Sequence, residues 1–147
     1  MKNEPIIDLD DADLRDVYLR DADLHDANLT KANLLFANLS ATNLTSTHLS
    51  DADLTAANLT NTDLSDADLT ATNLTVADLI NANLTIASLQ NANLTNANLS
   101  NANLTNANLR DADLTNANLS AAKINIKRLD KVKSLQKATM PDGSIHP

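Results

Sequence analysis

Residues 91–108 read NANLTNANLSNANLTNAN, one five-residue unit copied in tandem around a central leucine. Outward from this stretch, leucine recurs at every fifth position from Leu9 to Leu119, which makes 23 repeats without a miss. With leucine as position i, position i−2 is Ala in 17 repeats; the exceptions Ile7, Val17, Thr42, Thr47, Thr62 and Thr72 are all small or β-branched. Position i−1 is Asp or Asn in 20, the exceptions being Tyr18, His48 and Ser88, and position i+1 is Thr or Ser in 15. A fixed short period of this kind decides the architecture before any single residue is weighed.

Neither ordinary period accommodates it. On an α-helix five residues turn through roughly 500°, a net step of about 140° that scatters the leucines around the circumference. On a flat strand an odd spacing puts successive leucines on opposite faces. Asp, Asn and Thr also compete with a helix for backbone hydrogen bonds and favour turns. What remains is a chain of short extended pieces that bends the same way after each pentapeptide. All leucines then point at one axis, and Ala at i−2 points inward beside them, near a corner.

The charges give the number of sides. Residues one coil apart stack at about 4.8 Å, and like charges directly opposite each other are destabilising. A three-sided coil would stack positions 15 apart and pair Asp8/Asp23, Asp11/Asp26, Asp51/Asp66, Asp53/Asp68 and Asp63/Asp78, whereas no two Asp residues are 20 apart. At an interval of 20 the columns alternate instead, as in Asp13, Asn33, Asp53, Asn73 and in Asp23, Asn43, Asp63, Asn83. The spacing therefore predicts four repeats per coil and about six coils.

The runs Ala12-Asp13-Leu14, Ala52-Asp53-Leu54 and Ala92-Asn93-Leu94-Thr95-Asn96 resemble the A(D/N)LXX signature of the pentapeptide repeat family, over about residues 7–126. The resemblance implies an all-β fold, a right-handed quadrilateral β-helix without enzymatic activity, with positions i and i−2 inside and the other three outside. It supplies the handedness, on which spacing is silent. Leu14, Leu34, Leu54, Leu74, Leu94 and Leu114 then belong to the structural core. The chain divides into an N-terminal cap segment (1–6), the repeat β-helix (7–126) and a C-terminal capping tail (127–147).

Past Leu119 the pattern decays through Ile124 and Leu129 and fails at Ser134, and a register slipped by one resumes at Leu135, Met140 and Ile145. Ile126, Leu129, Val132 and Leu135 also fit a short amphipathic helix over residues 125–137 with Asn125 as its N-cap. Both alternatives cover the last coil. Residues 140–146 contain Pro-Asp-Gly, a turn signal, and are similar to tails of cyanobacterial family members. At the other end Pro5 is suited to stopping a strand from extending. An open first coil would offer an end-to-end homodimer contact.

Composition narrows the function. The chain has no cysteine and one glycine, which excludes disulfides, thiolate metal sites and a phosphate loop. No stretch has signal-peptide or membrane-span character, so a cytoplasmic location without membrane contact is expected. Carboxylates crowd residues 8–31, but the repeat demands Asp or Asn at i−1 anyway, and a solvated surface is the plainer reading than a cation site. His25, His48 and His146 have no partner at metal-ligand spacing. No catalytic, cofactor or metal residue and no small-molecule substrate is indicated.

Residues 1–120 carry a net charge of −12 and residues 121–147 a net +4, and residues 32–109 hold no Lys or Arg. Direct nucleic-acid binding is disfavoured without a basic face. The expected role is a rigid acidic module presenting Asn, Thr and Asp faces to a protein partner. Outward apolar residues Leu35, Phe36, Val76, Ile80 and Ile86 are the candidate contacts, with Phe36, Ala56 and Val76 stacked 20 apart. The alternative is mimicry of duplex DNA toward a type II topoisomerase such as gyrase, as the resemblance implies for some family members.

Overall fold

Every pentapeptide has five backbone N–H groups to satisfy, and a regular repeat inside the coil uses all of them. In the repeat around Leu54, the Ala52 N–H closes a turn onto the Leu49 carbonyl (3.1 Å), and the Asp53 N–H reaches Ala32 of the coil before (3.0 Å). Leu54 and Ala56 donate to Asn73 and Thr75 of the coil after (2.8 and 2.9 Å). The fifth donor, on Thr55, points along the chain and finds the Asp53 side chain at 3.0 Å. Position i−1 is thus Asp or Asn because it must accept from the i+1 amide of its own repeat. All 20 Asp and Asn residues at that position do so, at 3.0–3.4 Å. Thr or Ser at i+1 adds its hydroxyl to the same oxygen, as Thr55 does to Asp53 at 2.6 Å.

The computed structural model describes residues 7–147. The expected N-terminal cap segment 1–6, with Pro5, lies outside the described residues. Parallel bridges join positions 20 apart from Asp8↔Asn28 through Asn103↔Lys123, so four pentapeptides make one coil. The leucines meet at the axis: every one from Leu29 to Leu104 is fully buried, as is Leu114, while Leu14 in the first described coil is only partly covered. The inward threonines keep their hydroxyls satisfied by bonding a leucine carbonyl of the preceding coil, as Thr62 does to Leu39 at 2.6 Å.

Each corner is a turn whose second central residue has φ between +54° and +63°, from Asp11 to Ala121. Such a turn ordinarily takes Gly or Asn at that place. Here 14 of the 23 are Asp or Asn, and the others include the bulky Phe36 and the β-branched Val76 and Ile86. The coil-to-coil ladder imposes the conformation whatever the side chain, at roughly 1–2 kcal/mol for a residue that disfavours it.

The tail resolves the two sequence alternatives by using both in succession. Asn125 caps a 3₁₀ helix, Ile126–Lys131, by accepting from the Lys127 N–H. The helix is six residues long and stops short of Lys137. Its one extra residue shifts the register, so Ser134 pairs with Asp113 and Thr139 with Asn118 at intervals of 21. Met140-Pro141-Asp142-Gly143 then closes a turn (Gly143 N–H to Met140 carbonyl, 2.9 Å), and Ile145 returns antiparallel to Thr139. Gly143 takes φ +84°, where a side chain is disfavoured.

Two expectations arise from this wiring. His48 does not accept from the Ser50 amide as Asp or Asn does at its position, and it stands between Asn28 and Asp68 in its column. His48→Asn should therefore stabilise by about 0.5–1.5 kcal/mol, read as a higher urea midpoint with unchanged slope. The Asp142 carboxylate accepts the Ser144 hydroxyl (2.6 Å) and amide (2.9 Å), and the hydroxyl bond, foremost, lowers its pKa below 3.8. Asp113 is lowered likewise, first by the Thr115 hydroxyl and further by the Thr115 amide and by Lys133 at 3.2 Å. A depressed folded pKa contributes stability that is complete above the unfolded value and fades as pH falls through the folded one. Amide exchange in residues 138–146, corrected for intrinsic rates, should accelerate below pH 3.8 before the central coils respond; simultaneous loss everywhere would contradict it.

Candidate functional site

Because the interval is 20, the turn residues stack into four corner columns, and the outward apolar residues can be assigned to them. Leu35, Phe36 and Val76 share one corner, with Ala56 between the last two. Ile80 belongs to the next corner along the chain, and Ile86 to the one diagonally across from Phe36. The structure therefore brings three of the five candidates together and separates the other two. Phe36, Val76 and Ile86 are each more than half exposed, whereas Leu35 and Ile80 are half-buried.

One residue missed by the sequence reading lies on the face beside this corner. Tyr18 is 82% exposed and pairs with Asn38, two residues beyond Phe36, so the only tyrosine and the only phenylalanine of the chain lie one coil apart along the same edge. Its signal was present as a break in the Asp/Asn column, but a break says nothing about neighbours. The edge thus carries Tyr18, Leu35, Phe36 and Val76, with Arg15 and Asp16 at the corner of Tyr18's own coil and Asn and Thr elsewhere along it.

The polar faces carry ladders. Asn side chains donate down their column to the carboxylate one coil before: Asn28 to Asp8 (2.9 Å), Asn43 to Asp23 (2.8 Å) and Asn83 to Asp63 (3.0 Å). In the first coils, the Arg15 guanidinium, hydrogen-bonded at 2.6 Å, holds the Asp13 carboxyl below its ordinary pKa, and His25 at 2.8 Å does so for Asp23. Among the described residues no group of three or more His, Asp or Glu is placed to hold a metal ion. No helix among them is long and apolar enough to cross a membrane.

Comparison with known proteins adds the following. The family model described as pentapeptide repeats (8 copies) matches residues 7–45, 47–85 and 87–125. Among solved structures, HetL of Nostoc sp. strain PCC 7120, a pentapeptide repeat protein involved in heterocyst differentiation regulation, is 36% identical; the match covers 95% of this chain and 70% of that one, with a TM-score of 0.48. The pentapeptide repeat protein Rfr23 of the cyanobacterium Cyanothece 51142 is 34% identical over 77% of this chain and 63% of its own, with a TM-score of 0.40. A trypsin-treated variant of QnrB1, a plasmid-mediated fluoroquinolone resistance protein, is 18% identical over 92% of this chain and 71% of its own, with a TM-score of 0.54. The likeness to QnrB1 is one of fold. No curated protein matches the chain by sequence.

Proposed function

Because the chain belongs to the pentapeptide repeat family, whose members form right-handed quadrilateral β-helices and generally act as structural or interaction modules, we propose that it is a non-enzymatic interaction module. In this reading residues 7–126 are a rod of about six coils, 127–147 close its end, and the edge bearing Tyr18, Leu35, Phe36 and Val76 meets a protein partner in the cytoplasm. Ile80 and Ile86 lie on other corners, outside that edge.

A single observation carries it. Phe36 and Val76 stand 60% and 54% exposed on backbone with φ of +56° and +61°, so each is unfavourable twice over in the isolated fold. Asn at either place would relieve both the strain and the exposure. Exposed aromatic and apolar side chains on a rigid frame are what a protein interface recruits.

The test has two arms. Val76→Asn should raise stability by about 1 kcal/mol, seen as a higher melting temperature. A photo-crosslinking side chain at position 36 or 76 should capture a discrete adduct in the producing cells, and one at position 101, on another corner, should not. The same adduct from all three positions, or none from any, would overturn the assignment.

The second reading, mimicry of DNA toward a type II topoisomerase, is favoured by the net charge of −12 on residues 1–120. Duplex DNA presents one charge per about 1.7 Å of axis, whereas here Asp alternates with Asn within columns on several faces. Salt-sensitive inhibition of gyrase supercoiling by this protein would move the reading to the Asp columns; salt-independent or absent inhibition would reject it.

A further inference from the structure

The change of register at the tail builds a second feature, remote from the interaction edge. A regular coil would direct the Arg128 N–H to the Ala107 carbonyl, as the Asn108 N–H goes to Ala87 at 2.9 Å. The 3₁₀ helix diverts that N–H to Asn125 (2.8 Å), and the guanidinium of the same residue takes its place: Nη1 donates to the Ala107 carbonyl at 3.2 Å and Nη2 to Asn106 Oδ1 at 3.3 Å. Both acceptors are neutral. The guanidinium is thus fixed in position with no carboxylate within 4.0 Å of it among the described residues.

Beside it lies a depression of about 330 Å³ with Ala107 and Leu109 as buried apolar lining and Arg110, Lys127, Arg128 and Lys131 around it. Arg128 and Lys131 are i and i+3 on a helix of period three, so they project from the same side. Among the described residues neither Lys127 nor Lys131 has a carboxylate within 4.0 Å, and Arg110 shares Asp111 at 3.3 Å. Asp130 borders the adjoining hollow with Arg110 and Lys131 and limits how much negative charge the site accepts. The acidic body repels anions at long range, but beyond a Debye length of about 8 Å that field is screened, and the local cations decide.

We propose that this depression binds a small phosphate-bearing molecule. Its oxyanions are held by Lys127, Lys131 and Arg110 against the anchored guanidinium of Arg128, and its remainder rests on Ala107 and Leu109. Phosphate fits this set better than a lone carboxylate because it brings about −1.5 to −2 charge and three acceptor oxygens to several donors. The site is concave and bounded, which suits a small molecule over an extended polyanion.

The probe is inorganic pyrophosphate, titrated into the full-length ¹⁵N-labelled protein at constant ionic strength and pH. The expected result is saturable shifts of the Lys127, Arg128 and Lys131 amides. Lys127→Gln with Lys131→Gln should weaken binding at least about tenfold, the charge-preserving Lys127→Arg with Lys131→Arg should retain it, and Lys31→Gln on a distant coil should change nothing. Shifts that grow linearly and are matched by chloride, an undiminished affinity in the double Gln variant, or equal loss in the double Arg variant would each overturn the proposal.

Discussion

Leu64→Asp abolishes the cooperative melt of the central coils. Leu64 is fully buried, with leucines of the coils before and after above and below it along the axis. Leucine-to-alanine at such a site already removes about 2–5 kcal/mol through lost burial and the cavity left behind. The aspartate adds an uncompensated charge with no cation in reach, a further loss of about 3–5 kcal/mol in cases where one buried partner is left alone. The sum is comparable with the whole stability of an ordinary domain, about 5–15 kcal/mol. In a solenoid each coil contacts only its neighbours, so the damage separates the rod into two weakly coupled halves. The same substitution at Leu14, which is only partly buried, lets the carboxylate reach water and should cost far less. Circular dichroism melts of the two variants side by side check this, and a Leu64→Asp transition within a degree of the parent would remove that leucine from the axis.

The contrast between Leu64 and Leu14 also shows how far the amino-acid pattern reached. The leucine period and the alternation of Asp with Asn at intervals of 20 were enough for the coil and its register, because both follow from what must be buried and what must be kept apart. The reason for Asp or Asn at i−1 was harder to see. It lies in a single N–H per repeat, such as that of Thr55, which the ladder leaves over. The corners were invisible for a different cause: Phe36, Val76 and Ile86 contradict ordinary turn chemistry, and only the inter-coil bonds on either side of them, such as Phe36 N–H to Thr55 carbonyl at 3.1 Å, hold them at positive φ.

At the tail the three-residue spacing of Ile126 and Leu129 was the period of a 3₁₀ helix, and the slipped register after it holds at Leu135 and Met140, which pack on the core, whereas Ile145 turns back antiparallel to Thr139 and stands exposed. Helix and slipped register read as rivals only because one residue of overlap was not anticipated. The candidate edge was half legible. Phe36 and Val76 follow from the register, but the approach of Tyr18 requires knowing which face adjoins which corner, and the scattering of Ile80 and Ile86 requires the same.

Asn73→Asp tests that register more sharply than any core substitution, because it changes one atom. Asn73 Nδ2 donates to Thr55 Oγ1 at 2.8 Å and lies 3.3 Å from Asp53 Oδ1, while Thr55 Oγ1 itself donates to Asp53 at 2.6 Å. The Asn73 Oδ1 accepts the Thr75 amide and hydroxyl, and an aspartate keeps that duty. What it loses is the donor. Its second oxygen then faces the Asp53 carboxylate and a hydroxyl already committed to it, so a column that carried one charge in two coils carries two adjacent ones. Losing a partly buried hydrogen bond and gaining a like-charge pair should together cost about 1–3 kcal/mol at neutral pH. The new carboxyl has its folded pKa raised by Asp53, so the penalty is complete above that value and shrinks as pH falls through it, when the protonated oxygen donates once more. Asn98→Ser removes a side chain at the same repeat position without adding charge, and the Ser134 hydroxyl accepts the corresponding amide at 3.2 Å, so its cost should be smaller and flat with pH. Urea unfolding of both variants at neutral and mildly acidic pH separates the cases. Equal losses at both pH values would mean that Asp53 and position 73 do not face each other, and with that the 20-residue coil would fall.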